Sequence, residues 1–88
     1  MNFRAQLLLA NAIIIHQLEG TFQSQILNNG KNLYRGHFIT NETATLNQND
    51  IYTLKTTEGL KTKIKILALL TDFPGIKTYS MYATSPLM

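Results

Sequence analysis

From Thr21 onward the chain is cut at short intervals by turn signals, at Asn28-Asn29-Gly30, Asn41-Glu42, Asn47 to Asp50, Glu58-Gly59 and Pro74-Gly75. The runs between them are rich in Ile, Thr, Tyr and Phe, the residues that suit a pleated, half-buried surface. A spacing of roughly ten residues between turns leaves no room for crossover helices, so a parallel sheet is excluded. The runs predict strands near 21–27, 32–40, 50–57, 60–70 and 76–83. Together they make a five-stranded antiparallel meander over 21–83, curled into a small barrel or roll, with a short tail at 84–88.

Length bounds the rest. At 88 residues with 44% hydrophobic and 15% charged residues, the chain is too short for two independent cores and too apolar for disorder. A single domain over 1–88 is expected. Without cysteine there is no disulfide, thiolate metal site or thiol nucleophile, so stability rests on the core or on partner subunits. The net charge of +3 is mildly basic, which bears on partners rather than on fold.

Two hairpins can be read in detail. Asn29-Gly30 suits a two-residue type I′ turn, which would pair Ile26 with Leu33 and Phe22 with His37. At Glu58-Gly59 a two-residue loop would mix Lys61, Lys63 and Lys65 with Tyr52 and Leu54. A three-residue loop, Thr57-Glu58-Gly59, with Gly59 in the left-handed region of a bulge, separates them. Tyr52, Leu54, Leu60, Ile64 and Ile66 then share one face, and Lys55, Lys61, Lys63 and Lys65 share the other. This register sets Lys55 opposite Lys61.

The N-terminal segment 3–18 reads differently. Ala5 to Leu18, AQLLLANAIIIHQL, carries no charge but is shorter than the about 20 residues a membrane-spanning helix needs. As a signal peptide it would use Arg4 and the Ala10-Asn11-Ala12 triplet, but the apolar run ahead of that triplet is short, and a cytoplasmic protein is expected instead. Its good helix formers predict a helix over 3–12, leaving 13–18 open between helix and strand. The fold expected is therefore mainly β, or α+β with an N-terminal helix ahead of the meander. Carried on to about Gln17 as a helix, the segment could not gather Leu7, Leu9, Ala12, Ile13 and Ile15 on one stripe. That excess apolar surface predicts a homo-oligomer, or a protein partner, with Leu7, Leu8, Leu9, Ile13, Ile14 and Ile15 at the interface.

Four lysines on one sheet face, Lys55, Lys61, Lys63 and Lys65, are the concentrated charge feature, with Lys31, Arg35 and Lys77 as extensions. Ammonium groups so placed contact phosphates without reading sequence, which points to a nucleic-acid or other polyanion surface. The same pattern also describes the solvated face of a half-buried sheet, where lysines deter edge aggregation. Tyr34, Tyr79 and Tyr82 are the candidates for a stacking platform beside it.

The hairpin ILNNGKNLYRGHFI at 26–39, after an N-terminal helix, resembles the Sm-like small barrels, whose family binds RNA as oligomeric rings. It departs from that pattern by one extra residue between Asn29-Gly30 and Leu33, and by the absence of an Asp after the second strand. Continued through LNQNDIYTL at 46–54, the same stretch also resembles the second, barrel-shaped domain of translation GTPases. Two unrelated families share the pattern, so it carries over no functional residue.

No catalytic constellation is legible. His16 and His37 lie on apolar segments, the carboxylates Glu19, Glu42, Asp50, Glu58 and Asp72 fall singly at turns or segment ends, and Ser24, Ser80 and Ser85 lack a neighbouring base. Neither a metal site nor a cofactor is expected. Phe73 is expected to pack beneath the Pro74-Gly75 turn, and the tail's apolar end is expected to be loose or to dock on a partner. The leading expectation is a non-catalytic, self-associating β-rich module with an assembly or protein-binding role; the alternative is a nucleic-acid-binding small barrel.

Overall fold

The structure, a computed structural model, describes residues 1–83 and 85–88. It consists of six antiparallel strands in one sheet: β1 (Asn2–Leu9), β2 (Ala12–Ile26), β3 (Asn32–Thr40), β4 (Tyr52–Thr56), β5 (Lys61–Phe73) and β6 (Ile76–Ala83). The strand order is β1-β2-β3-β6-β5-β4, and β4 pairs back onto β1, so the sheet closes into a barrel. The chain thus forms two three-stranded meanders, joined along β1–β4 and β3–β6. The single-domain, cysteine-free antiparallel protein expected from sequence is what is found. Residue 84, the first of the expected tail 84–88, lies outside the described residues.

The N-terminal helix over 3–12 is absent. In its place β1 and β2 form a hairpin whose two-residue turn is Ala10-Asn11, both at positive φ (51° and 68°). The reason is visible in β1, where Phe3, Ala5 and Leu7 turn inward and alternate with Asn2, Arg4 and Gln6. That period of two is the strand's, not the helix's. Two register shifts in the hairpin each give β2 one extra residue, between Leu18 and Ile15 and again between Ile15 and Ile13. These bulges break the phase of the apolar pattern, so no single period fits residues 12–18, while the strand gains the bend a small barrel requires. The strand count is accordingly six rather than five. The helix-plus-five-strands order on which the Sm-like resemblance rests is not present.

The β2–β3 turn also differs from expectation. Ile26 pairs with Asn32 and Phe22 with Gly36, and the Leu27 N–H donates to the Lys31 carbonyl at 2.8 Å. The loop is therefore three residues, Asn28-Asn29-Gly30, with Gly30 at φ 79°, and the register moves by one from a type I′ turn. Gly20 and Gly36 then lie opposite Phe38 and Phe22 across this ladder. A Cβ on Gly36 would run into the Thr21 carbonyl oxygen, and one on Gly20 into the His37 carbonyl and the Phe3 ring. The two glycines let β2 and β3 pass close together while aromatic rings fill the space beneath.

The β4–β5 hairpin matches the reading from sequence. Lys55 faces Lys61, Thr53 faces Lys63 and Tyr52 faces Ile64, and Gly59 sits at φ 92° in the three-residue loop. At the β5–β6 end, Pro74-Gly75 makes a two-residue turn between Phe73 and Ile76. Phe73 does not pack beneath it, being 65% exposed.

The interior is filled by Leu7, Ile15, Phe38, Tyr52, Leu54, Ile64 and Met81, with Phe3, Leu18, Phe22, Ile66 and Tyr79 around them. Phe38 and Tyr79 stack with ring centroids 5.4 Å apart, and Phe3 lies 5.3 Å from Phe22. Six strands make a narrower barrel than the roughly eight that can hold a small ligand. The inside is core, which leaves the ends and the outer wall for function.

Both ends are covered by the chain itself. Residues 41–51 cross one end on their way from β3 to β4. The Asn47 N–H donates to the Tyr52 hydroxyl at 2.7 Å, the Gln48 amide donates to the carbonyl of Leu67, and Ala44 and Leu46 pack on the core. At the opposite end Met88 and Lys61 exchange backbone hydrogen bonds of 3.0 and 3.1 Å, the Thr62 hydroxyl donates to the Ser85 carbonyl at 3.0 Å, and Leu87 packs against the core. The tail, expected to be loose or to seek a partner, thus docks on its own barrel.

Candidate functional site

Because side chains alternate across a strand, burying Tyr52, Leu54 and Thr56 of β4 and Thr62, Ile64 and Ile66 of β5 turns Lys55, Lys61, Lys63 and Lys65 outward. The same rule on β6, where Tyr79, Met81 and Ala83 are buried, turns Ser80 and Tyr82 outward. On β3, inward Phe38 and Thr40 leave Arg35 and His37 outside.

The ladders place these side chains in rows across the outer wall. One row runs Gln6, Lys55, Lys61. The next runs Leu8, Thr53, Lys63. A third runs Lys65, Tyr82, Arg35, Gln23, with Tyr82 in register between the two cations. The structure therefore brings together all four lysines found from sequence and adds Arg35, which was read only as an extension. Lys31 is elsewhere, in the β2–β3 turn. Lys77 is also apart, opposite Asp72 near the tip of the β5–β6 hairpin. Of the candidate stacking residues, Tyr79 is buried and Tyr34 packs against the core, which leaves Tyr82 on the outer wall.

Among the described residues the ion pairs are Arg4–Glu19 at 3.2 Å and His16–Glu42 at 3.2 Å. Lys55, Lys61, Lys63, Lys65 and Arg35 take part in neither. These five are most of the chain's eight Lys and Arg residues. The Arg4–Glu19 pair lies on β1 and β2, beyond the β4 edge of the lysine rows, where the Thr57 N–H donates to the Arg4 carbonyl at 2.9 Å. Basic charge is thus concentrated on the wall formed by β4, β5, β6 and β3, and these five side chains make no ion pair among the described residues.

The six apolar residues expected at an oligomer interface are placed quite differently. Leu7 and Ile15 are wholly buried in the core, Leu9 and Ile14 pack against it, and Leu8 is half-buried on the outer wall. Ile13, at 42%, is the exposed member. The larger exposed apolar cluster was not found from sequence. It is at the β5–β6 hairpin, where Leu69, Leu70, Phe73 and Ile76 are between 45% and 65% exposed, with Ile39 of β3 on the neighbouring strand at 43%.

Little else has the makings of a reacting site. His37 Nδ1 lies 3.5 Å from the Thr21 hydroxyl on an exposed face, a long contact for a proton transfer. Among the described residues no group of three His, Cys, Asp or Glu side chains is placed to hold a metal ion. An open groove of about 600 Å³ at the tail end is lined by Met1, Phe22, Tyr34 and Leu87 among others, with no charged side chain. Among the described residues no helix is long and apolar enough to cross a membrane.

No family model, curated protein or solved structure matches the chain.

Proposed function

We propose that the protein is a non-catalytic binding module whose outer wall, formed by β4, β5, β6 and β3, takes the phosphate backbone of a nucleic acid. The observation that supports this reading is the group of Lys55, Lys61, Lys63, Lys65 and Arg35 in adjacent register rows, with no ion-pair partner among the described residues. Successive outward positions on β5 are about 6.8 Å apart and neighbouring strands about 4.8 Å apart, so the ammonium groups form a two-dimensional array rather than a single point. Contacts of this kind are independent of base sequence.

The reading is tested by titrating a labelled oligonucleotide at two salt concentrations. If each of the five cations meets one phosphate of a single strand, affinity falls with a log–log slope of about −3.5, and raising salt from 50 to 200 mM costs about 100-fold. Absence of binding at low salt would overturn it.

A second reading is supported by a different observation. The exposed Leu69, Leu70, Phe73 and Ile76 form a protruding apolar hairpin, which suits association with another protein surface or a second copy. In the N-terminal segment Leu7, Ile15 and Leu18 are buried and Leu9 and Ile14 pack on the core, so Ile13 is the exposed member of that run and the hairpin offers the larger apolar surface. Sedimentation at low micromolar concentration tests the second copy: a 9.9 kDa species rules out self-association through the hairpin, whereas a dimer lost on Leu70→Gln and Phe73→Ser favours it.

A further inference from the structure

We infer that the nucleic acid taken by this wall is single-stranded, with an unpaired base stacked on the Tyr82 ring between phosphates held by Lys65 and Arg35. The inference rests on the polyanion reading above and deepens it.

Tyr82 stands opposite Lys65 on one side and Arg35 on the other, so the two cations are separated by two strand spacings, about 10 Å, with the ring between them. Tyr82 does not belong to the core cluster. Its neighbours Met81 and Ala83 fill the barrel interior, while Tyr82 is half-buried on the outer wall. The hydroxyls of Tyr52 and Tyr79 are engaged with the loop over the barrel end. Among the described residues the Tyr82 hydroxyl has no hydrogen-bond partner. An aromatic ring set among cations offers what a base needs once it is out of a duplex, a flat apolar face with phosphate contacts on either side. A duplex keeps its bases stacked on each other and presents only phosphates to such a wall.

The flanking groups favour nonspecific capture over base reading. Ser80 and His37 form the next row beside Tyr82 and Arg35, and no carboxylate or amide array faces the ring from β5 or β6. Every base has a π-face, so stacking here tolerates sequence.

The test compares a 12-nucleotide single strand as DNA and as RNA, its duplex, inorganic polyphosphate and anionic lipid vesicles, for the wild type, Tyr82→Phe, Tyr82→Leu and Tyr82→Ala. The single strand of either sugar should bind more tightly than the duplex. Tyr82→Ala and Tyr82→Leu should weaken single-strand binding by about 5- to 150-fold, Tyr82→Phe should retain it, and affinity for polyphosphate should be unchanged in all three. Unchanged polyphosphate binding also shows that the wall is intact in each variant. The inference is overturned if the duplex, polyphosphate or vesicles bind as tightly as the single strand, or if Tyr82→Ala weakens all ligands alike or none. If nothing binds at low salt, the polyanion reading itself fails.

Discussion

The carboxylate of Glu42 accepts the backbone N–H of His16 at 2.9 Å, one oxygen serving His16 while the other accepts the Gln17 N–H at 2.6 Å. His16 and Gln17 are at the bulge in β2, where the ladder to β1 is interrupted, and the ladder to β3 begins only at Glu19. The Thr40 hydroxyl donates to the Gln17 carbonyl at 2.9 Å. The segment 40–42 therefore supplies with side chains the partners that a neighbouring strand would have supplied, and so ties the loop over the barrel end to the longest strand.

This geometry sets a pH dependence. Partial burial works to raise the Glu42 pKa, but the N–H groups of His16 and Gln17, with the His16 ring, outweigh it and hold the carboxyl below the ordinary value near 4.5. A carboxyl depressed on folding contributes stability that is complete above its unfolded pKa and is lost as pH falls through the lower folded value. Glu42→Gln should cost about 1–2 kcal/mol at neutral pH and flatten the stability profile below pH 4.5. Thermal denaturation of both proteins between neutral and acid pH checks this, and parallel profiles would refute it.

The close passage of β2 and β3 makes Gly36 the least replaceable position. A methyl group there meets the Thr21 backbone carbonyl, which cannot move without breaking the ladder. Gly36→Ala should cost about 3–4 kcal/mol or fail to fold. Gly30→Ala is the contrast, since open space surrounds it and only its φ of 79° is unfavourable; about 1 kcal/mol is expected. Urea midpoints that rank the two the other way would show that the turn, not the crossing, limits this hairpin.

Tyr52 has two roles, one in the core and one over the barrel end. Its ring is 1% exposed and its hydroxyl takes the Asn47 N–H. Tyr52→Phe keeps the ring and orphans that N–H, for about 1–2 kcal/mol. Leu54→Ala, deeper in the same strand, should cost about 2–5 kcal/mol. Hydrogen exchange at the Asn47 amide should rise in the first variant more than in the second.

Lys55 and Lys61 face each other without an anion between them, so the pair costs stability rather than adding to it. Lys55→Gln should leave the unfolding midpoint unchanged or raise stability by a few tenths of a kcal/mol. It should also lower the salt slope of nucleic-acid binding by about 0.7. A clear loss of stability would mean that the lysine stem packs on the wall and serves structure rather than binding.

How far this could be read in advance differs between hairpins for a physical reason. In β5 lysines alternate strictly with uncharged residues from Lys61 to Ile66, and Gly59 has one loop length that keeps them in phase with β4. The register of Lys55 against Lys61 followed. In the first hairpin Phe3, Ala5 and Leu7 alternate just as cleanly with Asn2, Arg4 and Gln6, and that signal was available. It was masked by what comes next, because bulges at residues 14 and 16–17 shift the phase twice within a few residues. Ala10-Asn11 adds to the difficulty, since alanine is an uncommon residue at positive φ. The candidate site shows the same division: the lysines were legible from their alternation, while Tyr82 joined them through the β5–β6 ladder and Arg35 through the β3–β6 ladder.

Local chemistry in the sequence by itself determined the antiparallel β class, the turn positions from Asn28 onward, the lysine wall of the second half and the need for a core without cross-links. These depend on neighbours a few residues apart. The tertiary structure alone decided the pairing of β1 with β4 and of β3 with β6, the capture of the β2 bulge by Glu42, and the burial of Leu7 and Ile15. Each of these brings together residues far apart in the chain, and it is that closure, not any local preference, that makes the N-terminal segment part of the core.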